Sequence, residues 1–560
     1  MQLKKRLIAI LLSLAMLVSL CGCNIDIYDV YEIYDAFFAD EDENAAELIS
    51  EAGNGGRDNI VAFDKMEYAR PDIDALEAKA QQIKGMLGHF FKVKDVISEL
   101  DEYIALYNNF YTMMNLACVR YDIDTQDEFY SEEYGFCSEV AGDVEYLTDE
   151  LLLACSNSSM CNYLDKNFFN GLLADQYSVT DGTGYTPSSE LAELERKEAE
   201  LENDYSELYA KYTTDFDDGK YKKQNDEIGK IYIELIKLRH DIAGKRNAKS
   251  YEELAYMDNG RDYTADDLDD YIKAIKQYIV PLYKKADDKR MYSRSRVSVM
   301  SPKTALSTVT GTVKGLDKDI DEALGYMLKY KLYDTKMSDS KYDQSYVLYL
   351  DDYDSPFLFC SPSGYSDTVL TIAHEFGHYV DGYLNYGLND SIDTSEVFSQ
   401  AMEYLLLCNI DDSQQLTRYK MLDVLELYAY QACLNEFEHR AYTLDEKELT
   451  VKKLNSLYSE LLKEYGIADD YDGLDWISVT HLFTSPFYVI SYCVSDSAAF
   501  ELYNMELGES GSGLEMYMKL LDESTNCDFL DLLDKCGVRS AISAETIKDI
   551  AGTLADKLDL

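Results

Sequence analysis

Apolar residues recur at helical spacing over most of the chain. Residues 61–175 show this period, for example in DALEAKAQQIKGML, and residues 190–212 form a long charged stretch with one apolar stripe. Further helical patterns run to about residue 330 and from about residue 368 to 560. Pro is scarce, at 7 residues, and helix-favouring residues are abundant. The fold is therefore predicted to be mainly α.

Two stretches interrupt the helical pattern. SVTDGTGYTPSS, residues 178–189, lacks an apolar period and is predicted to be a loop or a subdomain boundary. SYVLYLDDYDSPFLFCS, residues 345–361, is rich in Val, Leu, Tyr and Phe around central turn residues, which predicts two short strands. We therefore place an N-terminal helical subdomain at residues 61–185 and a second helical region at residues 186–560.

The first residues form an export signal followed by an acidic segment. A positive start precedes an apolar run at residues 7–20, which is shorter than a membrane-spanning helix. The run ends in LCGC, which resembles the lipobox of bacterial lipoproteins and marks Cys23 as the lipidated residue. We predict a lipoprotein signal peptide at 1–23, an acidic spacer at 24–60 and an extracytoplasmic protein that is lipid-anchored to the cell membrane. The alternative is an ordinary secretory signal.

Charge and cysteine content narrow the classes of function. The chain has 52 Lys and Arg against 105 Asp and Glu, a formal charge of −53, so nucleic-acid phosphates and anionic lipids will repel it. We therefore expect no nucleic-acid partner. Export permits disulfides, and Cys155 with Cys161 and Cys527 with Cys536 are near enough in sequence to pair. The chain has no C-x-x-C pair, which argues against a cysteine zinc site or a thioredoxin-like function.

TIAHEFGHYVDGYL, residues 371–384, carries the candidate chemistry. On a helix His374 and His378 share one face and can bind one ion, and a catalytic zinc site uses three protein ligands and a water. Glu375 lies about 100° round the helix and can take a proton from that zinc-bound water as a general base. The flanking residues are apolar, and Ser366 or Asp367 can cap the helix. The alternative, two polar residues on an ordinary helix, leaves buried histidines without a partner.

A third ligand is expected on a second helix. TSEVFSQAMEYLLL, residues 394–407, places Glu396 and Glu403 seven residues apart on one face. Glu396 follows His378 by 18 residues, which leaves room for a helix end, a loop and a return. We predict Glu396 as the zinc ligand and Glu403 as a carboxylate that supports a ligand from behind. Three nearer aspartates fit less well, because they lie on the first helix or in the connection: Asp381, Asp390 and Asp393.

Taken together, these residues resemble the thimet oligopeptidase and oligoendopeptidase F family of zinc metallopeptidases. The similarity covers most of the chain from about residue 60 to 560 and is specific because five stretches occur in the family's order. They are residues 238–268, 355–383, 395–405, 431–442 and 481–492. The resemblance implies a mainly α, zincin-type helical ellipsoid with a deep substrate channel and a small β-sheet beside the zinc helix. It makes residues 186–560 the helical and catalytic zinc metallopeptidase region.

The resemblance also implies further site residues in HLFTSPFYVISY, residues 481–492. His481 and Tyr492 are similar to the groups that stabilise the tetrahedral oxyanion, and Tyr488 is a second tyrosine candidate. The sequence departs from the family here: Pro486 and no glycine stand where some relatives have a glycine-rich loop, and Ile490 replaces a tyrosine. Of the remaining histidines, His89 and His240 are expected to be structural. His439 is expected to be a polar helix residue near the cleft.

The leading hypothesis is a lipid-anchored zinc endopeptidase with one Zn²⁺ per chain, acting on short unstructured peptides as a monomer. Glu375 activates the water, and His481 with Tyr492 holds the oxyanion. A non-catalytic peptide- or metal-binding lipoprotein on the same fold is the alternative. A binding protein has no need of a base at position 375, so Glu375 favours the enzyme. A third possibility is a zincin that acts on folded proteins or processes a surface layer, which would need an open cleft.

Overall fold

The computed structural model describes residues 43–57, 59–88, 92–173, 189–212, 218–294, 297–389, 391–410 and 414–560. Most of these residues are helical, which confirms the predicted fold class. The helices of the first half are α1 Glu43–Glu51, α2 Ile73–Met86, α3 Val93–Ile123, α4 Glu128–Ser156, α5 Ser189–Tyr212, α6 Asp218–Lys245, α7 Tyr251–Asp258, α8 Asp269–Ala274, α9 Val280–Asp288, α10 Pro302–Val313 and α11 Lys318–Tyr330.

The second half continues with a small sheet and further helices. Its helices are α12 Thr368–Asn385, α13 Ile392–Asn409, α14 Gln414–Tyr442, α15 Val451–Tyr465, α16 Ile490–Gly508, α17 Ser512–Glu523, α18 Phe529–Cys536 and α19 Ala544–Leu558. Short helical turns fill several connections, including His481–Thr484.

The sheet contains the two predicted strands and a third that the sequence did not indicate. The strands are β1 Tyr333–Asp334, β2 Tyr346–Leu350 and β3 Ser355–Phe359. Their order is β1-β3-β2, with β1 parallel and β2 antiparallel to β3. Every residue of β3 is buried, and this strand packs against α12. The sheet therefore supports one side of the helix that carries both candidate histidines.

Two large hydrophobic cores lie along the described chain, beside a small cluster of Leu191, Ile242, Ala243 and Leu254. The smaller core is built from α2, α3, α4 and the short turns that follow, between Leu76 and Leu173. The larger core is formed mainly by buried residues of the second half of the chain. Helix α3 contributes to both, because Val96 and Phe110 belong to the small core whereas Leu116 belongs to the large one. The long helix α3 therefore joins the two bodies of the molecule.

Part of the segment predicted as an acidic spacer packs on the folded body. Helix α1 lies against α11, where Gly325 allows the close approach of Leu48. Arg57 is buried among the rings of Tyr383 and Tyr386, each about 4.4 Å from its guanidinium carbon, and donates to the carbonyl of Tyr383 at the end of α12. The predicted lipidation site, Cys23, lies outside the described residues.

Two findings concern membranes and thiols. Across the described parts of the chain, every helix is too short or too polar to span a bilayer. The described cysteines are free thiols, so neither Cys155 with Cys161 nor Cys527 with Cys536 forms a disulfide.

Candidate active site

Helices α12 and α16 both pack against α13, and these helices together with the segment just before α16 hold the candidate residues. Asp367 caps α12 by accepting a hydrogen bond from the Thr368 amide. Of the two predicted caps, Ser366 and Asp367, the second is therefore the one that the structure uses. The closest approach of α12 to α13 is at Gly377, where a Cβ would lie 2.3 Å from the carbonyl oxygen of Phe398. This contact brings the histidines of α12 beside the glutamates of α13.

His374, His378 and Glu396 converge on one point. Oε2 of Glu396 lies 3.4 Å from Nε2 of His374 and 3.7 Å from Nε2 of His378. The ligand atoms of all three residues lie within 4.8 Å of one another. Ligands at about 2.0–2.1 Å from a tetrahedral zinc are about 3.3 Å apart, so this His, His, Glu set fits the metal.

Each histidine is oriented from behind through its other ring nitrogen. Nδ1 of His374 lies 3.0 Å from Oε1 of Glu403, and Nδ1 of His378 lies 3.1 Å from Oγ of Ser395. Glu403 is in turn bound by the buried ammonium of Lys420, 2.7 Å from its other oxygen. These contacts favour the ring tautomers that leave both Nε2 atoms free for a metal.

Glu396 is held as an anion by several donors. Tyr488 donates its hydroxyl to Oε1 at 2.9 Å, and Ser399 donates to Oε2 at 2.9 Å. Burial alone would raise the pKa of Glu396, but its hydrogen bonds with His374 and Tyr488 lower it overall. The carboxylate is therefore ready to bind a cation without first losing a proton.

The two histidines differ in their proton affinity. Burial lowers the pKa of His378 to about 4, so its ring is neutral at physiological pH. Burial also opposes the charge of His374, but its hydrogen bonds with Glu396 and Glu403 raise its pKa well above the ordinary value. A metal ion must therefore displace a proton at His374, which makes metal affinity dependent on pH.

Glu375 directly follows His374 on α12, and its surroundings change its acidity. It is 5% exposed and lies next to the metal-binding set on α12. Burial, which outweighs the attraction of His374, raises the pKa of Glu375 to about 8. A carboxyl group whose pKa lies near neutrality can both accept and return a proton during a reaction.

His481, Tyr488 and Tyr492 form a cluster beside Glu396. The Tyr492 hydroxyl and Nε2 of His481 are 3.3 Å apart, and the rings of Tyr488 and Tyr492 are 5.2 Å apart. Burial raises the pKa of both tyrosines, so their hydroxyls remain protonated donors. The structure thus brings together all the predicted metal-binding and catalytic side chains, although they are spread over more than a hundred residues of the chain.

The loop that carries Tyr488 and leads into α16, on which Tyr492 lies, is fixed by buried charged residues. Phe487 has φ of +60°, a left-handed conformation that costs a non-glycine residue about 1 kcal/mol or more. Its amide donates to Glu438 at 2.9 Å, and its carbonyl accepts from Arg261 at 2.7 Å. Arg239 donates to the carbonyl of Phe483 in the same loop. Sequence reasoning missed these anchors, because nothing local marks an arginine more than two hundred residues away as a partner.

The other histidines have separate surroundings. Nε2 of His240 lies 3.1 Å from the carbonyl oxygen of Tyr442, which is a structural contact as expected. His439 lies on α14 and contacts the carboxylate of Glu252 at 3.0 Å. His89 lies outside the described residues.

Comparison with known proteins identifies the family. A family model described as the peptidase M3 N-terminal domain matches residues 63–176, and one described as peptidase family M3 matches residues 319–551. The first of these regions coincides with the smaller core, and the second contains the whole candidate site. A comparison with curated proteins gives no significant match.

Solved structures share the fold at low sequence identity. A structure assigned as an oligoendopeptidase F has a TM-score of 0.74 and 22% identity over 89% of this chain and 99% of its own. PZ peptidase A, with an inhibitor bound, has a TM-score of 0.73 and 21% identity over 89% and 99%. Oligoendopeptidase F from Enterococcus faecium has a TM-score of 0.59 and 16% identity over 87% and 96%. The family models, supported by this fold, confirm the resemblance found in the sequence, and the chain belongs to peptidase family M3.

Proposed function

We propose that the chain is a zinc-dependent endopeptidase that hydrolyses short oligopeptides outside the cytoplasmic membrane. The observation that carries this proposal is the position of Glu375, a buried base directly beside three residues that fit a zinc ion. His374, His378 and Glu396 would hold the metal. When bound, zinc acidifies a water molecule and polarises a carbonyl group.

The chain's own residues account for the proton transfers and for charge stabilisation. Glu375 takes the proton of the attacking water and later delivers it to the nitrogen of the leaving amine. Tyr492, with His481 beside it, is a neutral donor that can stabilise the negative charge on the carbonyl oxygen. Glu403 and Ser395 keep the two histidine rings in position throughout.

Limited access to the site supports short, unstructured substrates. The side chains of His374 and His378 are 23% and 14% exposed, and that of Glu396 is 6% exposed. A recessed site of this kind admits an extended peptide more readily than the surface of a folded protein. The proposed location follows from the export signal and from Cys23, whose lipid would hold the enzyme at the membrane surface.

The Glu375→Gln variant tests the mechanism. It keeps the side-chain size and removes the base, so we expect about one zinc per chain, as in the wild type, and a fall in kcat of at least about 10³-fold on a quenched-fluorescence peptide. Glu515→Gln, at an exposed position on α17, is the matched control and should keep wild-type activity. Unchanged turnover in Glu375→Gln would contradict the proposed mechanism. Zinc binding without cleavage by the wild type would favour a binding protein instead.

A further inference from the structure

Charged residues are distributed unevenly along the chain. Residues 342–417 contain 13 Asp and Glu and no Lys or Arg, and residues 464–518 contain 10 Asp and Glu and no Lys or Arg. At the average frequency of the chain, these two segments would hold about 12 basic residues. All the candidate metal-binding and catalytic residues lie in them. The segments that carry the candidate residues therefore have a higher net negative charge per residue than the rest of the chain, because basic residues are missing from them.

The fold brings these two segments together. Helices α12 and α16, which both pack on α13, carry with it eight Asp and Glu and no basic residue. Among the described residues, basic side chains from elsewhere form ion pairs with only four of the 23 carboxylates: Asp393, Glu403, Glu464 and Glu501. Most of the other described carboxylates of the two segments have no ion pair with a basic side chain, although burial raises the pKa of Glu375 and of Asp381 and so reduces their charge.

Carboxylates in contact with solvent lie close to the metal-binding residues. Asp423 on α14 has a 49% exposed side chain and lies 3.9 Å from Lys420, which binds the carboxylate behind His374. Glu426, one turn further along α14, is also exposed. Burial and then the charge of Asp423 raise the pKa of Glu426, which places the two carboxylates within electrostatic reach of each other. We call Asp423 and Glu426 the acidic rim.

Two basic groups beside the site, Lys420 and Arg261, are already engaged. The ammonium of Lys420 is buried against Glu403, and the guanidinium of Arg261 is buried against the carbonyl of Phe487 and the hydroxyl of Ser491. These cations hold parts of the site in position and are covered by protein. A peptide that approaches α14 meets the exposed carboxylates of Asp423 and Glu426, with the partly exposed Arg418 further along the same helix.

We infer that this peptidase selects cationic peptides as substrates. The inference rests on the proposed function and adds the substrate class. Carboxylates arranged around a recessed site focus the negative potential there, attract positively charged peptides and repel acidic ones. Such steering acts mainly on the rate of association and weakens as salt screens the charges.

The test uses three quenched peptides with the same length and the same central sequence. Their flanking residues give net charges of about +3, 0 and −3, and kcat/KM is measured at low and at high ionic strength. We expect kcat/KM for the cationic peptide to exceed that of the acidic one at least about ten-fold at low salt, and the ratio to fall towards one at about 0.5 M salt. Equal values for the three peptides, or a ratio that salt does not change, would overturn the inference.

Binding is measured separately, so that failure of catalysis and failure of charge selection can be told apart. The Glu375→Gln variant is titrated with fluorescently labelled versions of the three peptides, and anisotropy reports the dissociation constants. Tighter binding of the cationic peptide at low salt, combined with no cleavage by the wild type, would leave charge selection intact and overturn the proposed function. Cleavage without any charge dependence of binding or turnover would leave the proposed function intact and overturn charge selection.

The acidic rim is tested with a double variant and a matched control. Asp423→Asn with Glu426→Gln should reduce the low-salt preference for the cationic peptide at least about three-fold, measured as the ratio of kcat/KM for the cationic peptide to kcat/KM for the neutral one. The control, Asp74→Asn with Glu77→Gln, removes two exposed carboxylates from α2, which belongs to the smaller core. An equal loss of preference in both variants would contradict the assignment of charge selection to the active-site face.

Discussion

Tyr488 and Tyr492 lie side by side with different partners. The Tyr488 hydroxyl donates to Glu396, whereas the Tyr492 hydroxyl contacts His481. The first contact supports a candidate metal ligand, and the second leaves a donor beside a neutral imidazole. Because burial lowers the pKa of His481, this ring stays neutral at physiological pH. The two tyrosines should therefore contribute to different steps, although the sequence alone offered both for the same role.

Substitution by phenylalanine separates the two roles. Tyr492→Phe should lower kcat by about 10²- to 10³-fold, because one donor to the oxyanion is lost, with KM and zinc affinity close to those of the wild type. Tyr488→Phe should lower zinc affinity about ten-fold, because the carboxylate of Glu396 loses a supporting hydrogen bond. Steady-state kinetics and competition with a chelator measure the two effects. The opposite assignment, with kcat reduced only by Tyr488→Phe, would show that Tyr488 is the oxyanion donor.

The sequence was sufficient to predict those site residues whose relative positions are set by helical spacing. His374, His378 and Glu375 have a fixed arrangement on any helix, and Glu396 with Glu403 repeats this on a second helix. The sequence did not decide whether Tyr488 or Tyr492 is the oxyanion donor. Their positions depend on the loop before α16, which Arg261 and Glu438 hold from distant parts of the chain. Lys420 and Ser395 were missed for a similar reason, since neither type of residue marks a metal site by itself.

At the scale of elements, the metal-binding set depends on how closely α12 and α13 approach. Gly377 makes this approach possible, because a Cβ there would lie 2.3 Å from the carbonyl oxygen of Phe398 and 2.6 Å from Cα of Ser399. Both of these atoms belong to the backbone of α13 and cannot move as a flexible side chain would. A larger residue at this position must push the two helices apart, and Glu396 moves with α13.

Gly377→Ala should therefore destabilise the protein by about 2 kcal/mol or more and weaken zinc binding. Gly552→Ala on α19 is the control, because a Cβ there meets no atom within 4 Å. The control should be neutral or stabilising by up to about 1 kcal/mol, since alanine restricts the unfolded chain. Thermal unfolding and zinc titration measure both variants. Wild-type stability and zinc affinity in Gly377→Ala would show that the helix contact does not control the site.

Predictions at the scale of elements succeeded where a pattern was long. The helical period predicted the stretches that became α5 and α12, and the dense apolar residues predicted β2 and β3. Strand β1 has two residues, too few to show any period, and exists only because β3 offers a parallel partner. Helix α1 lies in a segment whose acidic composition indicated a spacer, and it is held by packing on α11.

At the scale of the whole molecule, the location of the metal-binding residues predicts that zinc changes the unfolding of the body around the larger core more than that of the body around the smaller core. The smaller core contains no candidate metal ligand, whereas all three ligands lie within the body of the larger core. A ligand stabilises only the unit to which it binds, by about 4 kcal/mol at a thousand times its dissociation constant. Helix α3 belongs to both cores and transmits part of any stabilisation between them.

Calorimetry with and without zinc tests this division. We expect two transitions, of which the one for the larger body shifts upward by about 5 °C when zinc is added and returns when a chelator removes it. The transition of the smaller body should move by no more than about 1 °C, because zinc can stabilise this body only through α3. Glu396→Gln should abolish the zinc-dependent shift and keep the position of the smaller transition, since the substitution removes one ligand from the larger body alone. A single transition that shifts as a whole would mean that α3 couples the two cores into one cooperative unit, so that metal binding is felt throughout the chain.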